Sequence, residues 1–135
     1  MTEARAMTAT GVEIETLRVH ADPRGSLFEP VDDALLAAQR NVHVVLTEPQ
    51  AVRGNHYHRE AWELTTVFGP CLVRWRDADG LHDVDVPAGE AWRFRIPPGI
   101  AHAYRNTGTT TMVLVSFSSR PHDPSGGDTV RSAIL

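Results

Sequence analysis

Arg53-Gly54-Asn55-His56-Tyr57-His58-Arg59-Glu60-Ala61-Trp62-Glu63 lies near the middle of a chain of 135 residues. Successive side chains of a strand point to opposite faces, so His56 and His58 share one face and Tyr57 takes the other. Their imidazoles can then converge on one ion. Glu63 follows after four intervening residues, far enough to return on the next strand. A second segment, Pro97-Pro98-Gly99-Ile100-Ala101-His102-Ala103-Tyr104-Arg105-Asn106, turns at Gly99 and places His102 just inside another strand. Three neutral imidazoles and one carboxylate suit Zn, Fe, Mn or Ni, with open positions left for water or substrate.

Outward from these segments the chain reads as short strands separated by turn signals. Residues 12–17, 41–46, 63–68, 71–75, 81–86, 91–96, 101–105 and 111–117 are β-branched or alternate with period two. In 91–96, Trp92, Phe94 and Ile96 share one face and Arg93 and Arg95 the other. Asp22-Pro23-Arg24-Gly25, Gly69-Pro70 and Asp77-Ala78-Asp79-Gly80 mark turns. Residues 32–40 have enough alanine and leucine for one or two helical turns. The tail from residue 118, with Pro121, Pro124, Gly126 and Gly127, is expected to be loop. Strands at this spacing predict an all-β sandwich or barrel. We expect a disordered segment over 1–10 and a single domain over 11–135.

All 13 basic residues are arginines, against 17 acidic ones, for a net charge of −4. The absence of lysine removes Schiff-base, P-loop and lysine-base chemistry. Every cation is instead a planar fork suited to phosphate or carboxylate. An acidic balance argues against nucleic acid as a partner. The one cysteine, Cys71, excludes an internal disulfide and reads as a buried core thiol in its apolar run. No apolar stretch approaches the ~20 residues needed to span a membrane, and 1–10 lack the apolar core of a signal peptide. The expected location is cytoplasmic.

The two segments together resemble the motifs of the cupin family. The first motif, H-x-H followed by Glu and then Gly, falls on His56, His58, Glu63 and Gly69. The second, P-x-G, then His, then Asn, falls on Pro97, Gly99, His102 and Asn106 at the family's spacing. Three turn positions depart from the pattern. The glycine before the first motif is Gln50, the interval from Glu63 to Gly69 is one residue short, and Gly89 lies two residues too far back. The resemblance implies a cupin-type double-stranded β-helix, a jelly-roll barrel. It also implies a divalent metal, first zinc, with Fe, Mn or Ni as alternatives, held by His56, His58, Glu63 and His102. By spacing, Glu63 is preferred to Glu60. A homodimer is implied as well.

Arg53-Gly54-Asn55-His56-Tyr57-His58, the Ile96-Pro97-Pro98-Gly99 turn, and Asp123-Pro124 with Asp128-Thr129 resemble the cupin domain that ends bifunctional capsular polysaccharide enzymes. In that family the domain epimerises a nucleotide-linked 4-keto sugar at C3 and holds zinc. The reductase that precedes it there has no counterpart in this chain, so the reduction step is not carried over. Asp22-Pro23-Arg24-Gly25 and Arg53-Gly54-x-His56 also resemble the metal-free deoxysugar 3,5-epimerases and 3,4-ketoisomerases, in which the histidine matching His56 is an acid/base group.

The expected chemistry is removal of a C3 proton acidified by a neighbouring ketone, stabilisation of the enolate, and return of a proton. With a metal bound, Tyr104 or a metal-bound hydroxide must carry protons, because a ligating nitrogen has no free lone pair. Without one, His56 is the natural base. Arg53 is expected to grip a sugar or diphosphate, and Arg93 and Arg95 to read phosphates if their face lines the barrel. His20, His43, His82 and His122 carry no motif and read as ordinary. Tyr57 reads as core and Asn106 as a turn residue. Two other functions fit the family: an iron-dependent oxygenase, and a non-catalytic binder of a small ligand.

Overall fold

Alternating apolar residues build two antiparallel sheets whose inner faces meet. The computed structural model describes residues 4–7 and 11–135. The first sheet has six strands: β1 (Ala4–Met7), β2 (Glu13–Leu17), β10 (Ala91–Ile96), β7 (Glu63–Phe68), β12 (Met112–Ser118) and β5 (Asn41–Thr47), in that spatial order. The second has five: β13 (Thr129–Arg131), β6 (Val52–His58), β11 (Ala101–Asn106), β8 (Cys71–Asp77) and β9 (Gly80–Val86). A small hairpin joins β3 (His20–Asp22) to β4 (Gly25–Leu27) through the expected Asp-Pro-Arg-Gly turn, where Asp22 Oδ1 accepts from the Arg24 amide at 2.8 Å. The expected helical turns appear as α1 (Asp33–Ala37), whose N-terminus is capped by Asp32 through the Leu35 amide at 2.8 Å.

Val67, Phe94, Ile14 and Leu114 from the six-stranded sheet pack against Val73, Trp75, Val86 and Tyr104 from the five-stranded one. Phe94 and Val67 are wholly buried. A side chain of that kind contributes about 1.5–3 kcal/mol when fully withdrawn from water. Two packed sheets with this core form the expected jelly roll.

Two local features position the site. The glycine missing before the first motif is replaced by Gln50, which adopts the left-handed conformation itself, at φ 67°. Between β6 and β11 the register shifts: His102 pairs with His56, but Ala103 pairs with Gly54, leaving Asn55 as an extra residue. Gly54 has φ 89°, and a Cβ there would lie 2.8 Å from the His102 carbonyl oxygen. Glycine is needed at that close approach.

Two expectations about the ends need restating. Within 1–10, expected to be disordered, Ala4–Met7 forms a strand paired with β2, and the rest lies outside the described residues. The tail after residue 118 is not loop throughout: β13 pairs antiparallel with the H-x-H strand, Thr129 opposite His58 and Arg131 opposite His56. The backbone pairing of β13, not its side-chain pattern, makes it a strand.

Candidate metal centre

The register just described sets His56 and His102 side by side across β6 and β11, and the period of β6 brings His58 onto the same face. Ring centroids are 4.9 Å apart for His56 and His58, 4.9 Å for His56 and His102, and 5.8 Å for His58 and His102. Glu63, the first residue of β7, reaches across from the other sheet. Its Oε1 lies 3.1 Å from His58 Nε2, and its Oε2 lies 3.2 Å from His102 Nε2. One donor atom from each of His56, His58, Glu63 and His102 lies within 4.8 Å of every other. The four expected ligands are thus brought together.

The orientation of the donors fits a cation. His102 Nδ1–H donates to the Ile100 carbonyl at 2.8 Å, which turns Nε2 inward. That Nε2 is buried and lacks an aligned hydrogen-bond partner, although Glu63 Oε2 is near. A buried, inward-facing lone pair beside two more imidazoles and a carboxylate is a set that could hold a divalent transition metal.

Charges within the cluster move the titrations in opposite directions. Burial, with repulsion from His102 and His58, pushes His56 down to about 4 despite the attraction of Glu63. Burial alone would raise Glu63, but His102 and His58 hold its carboxyl well below the usual range. Burial opposes the charging of His102, yet the Glu63 charge and hydrogen bond prevail and raise it. Tyr104 is pushed well above its usual value by burial and then by the Glu63 charge. Its hydroxyl donates to Glu63 Oε2 at 2.8 Å. Thr65 Oγ1 donates to the same oxygen at 2.8 Å. Tyr104 therefore stands in the core and in the site at once.

His56, His58 and Glu63 line a cavity of about 750 Å³ between the sheets, and His102 lies buried behind them. Arg53 is on the cavity wall, exposed, with Nη2 donating to the Leu46 carbonyl at 3.0 Å. Arg93 and Arg95 are not, so they do not take the expected role of phosphate readers in this cavity. Phe94 and Ile96 take the inner face of β10, so both arginines fall on the outer one. There they line a separate recess of about 330 Å³. Arg93 is buried against Glu15, its cross-strand partner on β2, and donates to the Pro30 carbonyl at 3.1 Å. Arg95 pairs with Glu13 at 3.3 Å, and its guanidinium sits 4.3 Å over the Trp62 ring. Their charges serve the packing of β2 on β10.

Residues without motifs also reach the cavity. His43 and His122, read as ordinary, line it with ring centroids 6.1 Å apart, and Arg120, Asp128 and Thr129 join them. For His43 the signal was alternation along β5, which sends Asn41, His43 and Val45 inward. For Asp128 and Thr129 it was the resemblance of the tail.

The family profile described as polysaccharide biosynthesis C-terminal domain matches residues 20–130. The chain belongs to that family. The polysaccharide biosynthesis C-terminal domain here is 28% identical over 131 residues to the spore coat polysaccharide biosynthesis protein SpsL of Bacillus subtilis, covering 90% of this chain and 87% of SpsL. It superposes on the capsular polysaccharide assembling protein CapF of Staphylococcus aureus with a TM-score of 0.65 at 27% identity. The match covers 87% of this chain but 33% of CapF, so the domain spans about a third of that protein's length. NovW of Streptomyces spheroides, a 4-keto-6-deoxy sugar epimerase, matches with a TM-score of 0.72 at 15% identity, over 93% of this chain and 72% of that one, and shows the shared fold.

Proposed function

We propose that this polysaccharide biosynthesis C-terminal domain epimerises or isomerises a nucleotide-linked 4-keto sugar next to its ketone, and that His56, His58, Glu63 and His102 hold a divalent metal, first zinc. The observation that carries the proposal is the convergence of those four donors at an open cavity large enough for a sugar, with His56, His58 and Glu63 on its wall and His102 buried behind them. NovW is a 4-keto-6-deoxy sugar epimerase and SpsL is a polysaccharide biosynthesis protein, which supports the substrate class and its setting respectively.

A divalent ion held there supplies Lewis acidity toward a ketone oxygen. The protein's own groups divide the remaining work. Tyr104, kept protonated by burial and Glu63, is suited to donate a proton rather than to take one. His56 is neutral at pH 7, and in metal-free protein its lone pair is free to take the C3 proton. A base near 4, however, lies well below the range in which general bases work best at neutral pH. That weakness favours His56 as a ligand. The acceptor is then sought on the cavity wall, where His43 and His122 are the imidazoles outside the cluster. Arg53 offers the diphosphate a planar cation at the same wall.

The test is deuterium wash-in. A dTDP- or UDP-linked 4-keto-6-deoxyhexose is incubated in D2O with zinc-loaded protein, with chelated protein, and without protein. Deuterium at C3 only with the loaded protein is the expected result. Equal exchange by the chelated protein removes the metal and returns the base to His56. No exchange above the protein-free control overturns the proposal, and oxygen uptake with iron would point to the oxygenase. A homodimer and a cytoplasmic location belong to the same proposal, and light scattering reads the first. Among the described residues no helix is long and apolar enough to cross a membrane.

A further inference from the structure

The loop from residue 59 to residue 62 separates two of the proposed ligands, His58 and Glu63. Its backbone is held almost entirely by the tail. The Asp128 carbonyl accepts from the Arg59 amide at 2.8 Å. Asp128 Oδ1 accepts from the Glu60 amide at 2.8 Å, and Oδ2 from the Ala61 amide at 3.4 Å. The Trp62 amide donates to Ser119 Oγ at 2.9 Å, and the Trp62 carbonyl accepts from the Ser119 amide at 3.1 Å. One residue thus grips three consecutive amides, two of them with its side chain.

The same carboxylate faces the ligand ring. Asp128 Oδ2 lies 3.7 Å from His58 Nδ1, and Thr129 Oγ1 lies 3.3 Å from that nitrogen. Asp128 and His58 side chains are 18% and 19% exposed, so the charge acts through a medium partly cleared of water. The opposite nitrogen, Nε2, is the one turned toward Glu63. A negative group behind Nδ1 favours the tautomer that keeps Nε2 bare for an ion, the arrangement by which outer carboxylates orient ligating histidines.

We propose that Asp128 is a positioning residue: it fixes the spacing between His58 and Glu63 through the amides of Glu60 and Ala61, and orients His58 through Nδ1. This rests on the reading of the four-residue cluster as a metal centre. Asp128 makes no contact with an ion on this account and acts through the loop and the ring. The role is separable from catalysis because it predicts changes in metal affinity and loop protection without substrate.

Asp128→Ala and Asp128→Asn are compared with the unaltered chain. Zinc affinity is measured by chelator competition, amide hydrogen exchange at 59–61 in metal-free protein, and overall folding by thermal unfolding. Loss of an outer partner costs on the order of 10–100-fold in metal affinity. That loss is expected for Asp128→Ala, with faster exchange at Glu60 and Ala61. Asp128→Asn, which keeps an oxygen for the Glu60 amide, is expected to lie between. Zinc affinity within twofold of the unaltered chain, with unchanged exchange, overturns the proposal. If the unaltered chain binds no zinc, the metal centre falls. The exchange measurement still decides the remainder: lost protection upholds Asp128 as the residue that fixes the loop, and retained protection overturns it. Should Asp128→Ala fail to fold, the same readouts on Asp128→Asn decide: weakened zinc binding with faster exchange at Ala61 upholds the role, and neither change overturns it.

Discussion

The Tyr104 hydroxyl donates to Glu63 Oε2 at 2.8 Å, tying a core aromatic on β11 to the carboxylate that β7 sends into the cluster. Tyr104→Phe removes that donor, while Thr65 still donates to the same oxygen. The expected cost in stability is about 1–2 kcal/mol. If Tyr104 returns the proton, deuterium wash-in falls by about 10²–10⁴-fold, the range of a lost general acid. Thermal unfolding and wash-in on one preparation separate the two. Because burial and Glu63 raise the Tyr104 ionisation well above its usual value, the activity profile of the unaltered chain should show no tyrosine limb below pH 10.

Gly54→Ala places a Cβ 2.8 Å from the His102 carbonyl oxygen, at a φ of 89°. Neither backbone can yield without disturbing the pairing of His56 with His102. A destabilisation of about 1–3 kcal/mol is expected from the strained conformation alone. The urea midpoint should fall, and zinc stoichiometry should fall with it. An unchanged midpoint would show that the register shift is not what holds these strands.

His56 gives a pH dependence with a definite sign. Its folded value of about 4 lies below its ordinary value of 6.5, so between them the unfolded chain holds more protons. Metal-free protein should therefore lose stability as pH falls through that window. Glu63, lowered as well, adds to the loss at the acid end. His102, raised by Glu63, acts oppositely, contributing stability that is lost as pH rises above 6.5. Urea midpoints in chelator at pH 7, 6 and 5 read the slope. In His56→Gln the decline should be shallower.

Burial pushes the Cys71 thiol up to about 12. At pH 8 almost none is thiolate, the form that reacts. Iodoacetamide should leave the folded chain unlabelled and label it fully in denaturant. Labelling of the folded chain at the rate of a free thiol would contradict the placement of Cys71 in the core.

Period-two alternation was enough to place most strands and both faces of β10. It also set His56 and His58 on one face, while Glu63 and His102 were reached through the motif spacing that the resemblance supplies. It did not say which face of β10 turns toward the cavity, since both faces carry large side chains. The arginines are outside because Phe94 and Ile96 join the core, and Glu13 and Glu15 on β2 meet their charges there. The tail was harder still. Thr129–Arg131 has no apolar pattern, and its pairing with β6 depends on where the chain returns. Asp128 acts through backbone amides, which carry no mark of residue type.

The three imidazoles ride on the five-stranded sheet, and Glu63 rides on the six-stranded one. The cluster is therefore also a fastening between two layers, alongside their apolar contact and hydrogen bonds such as that from Asn106 Nδ2 to the Thr47 carbonyl. A cation held among the imidazoles would add an attraction between the layers that neutral rings do not supply. The charge at the cluster would then bear on how firmly the two layers are joined, as well as on the chemistry.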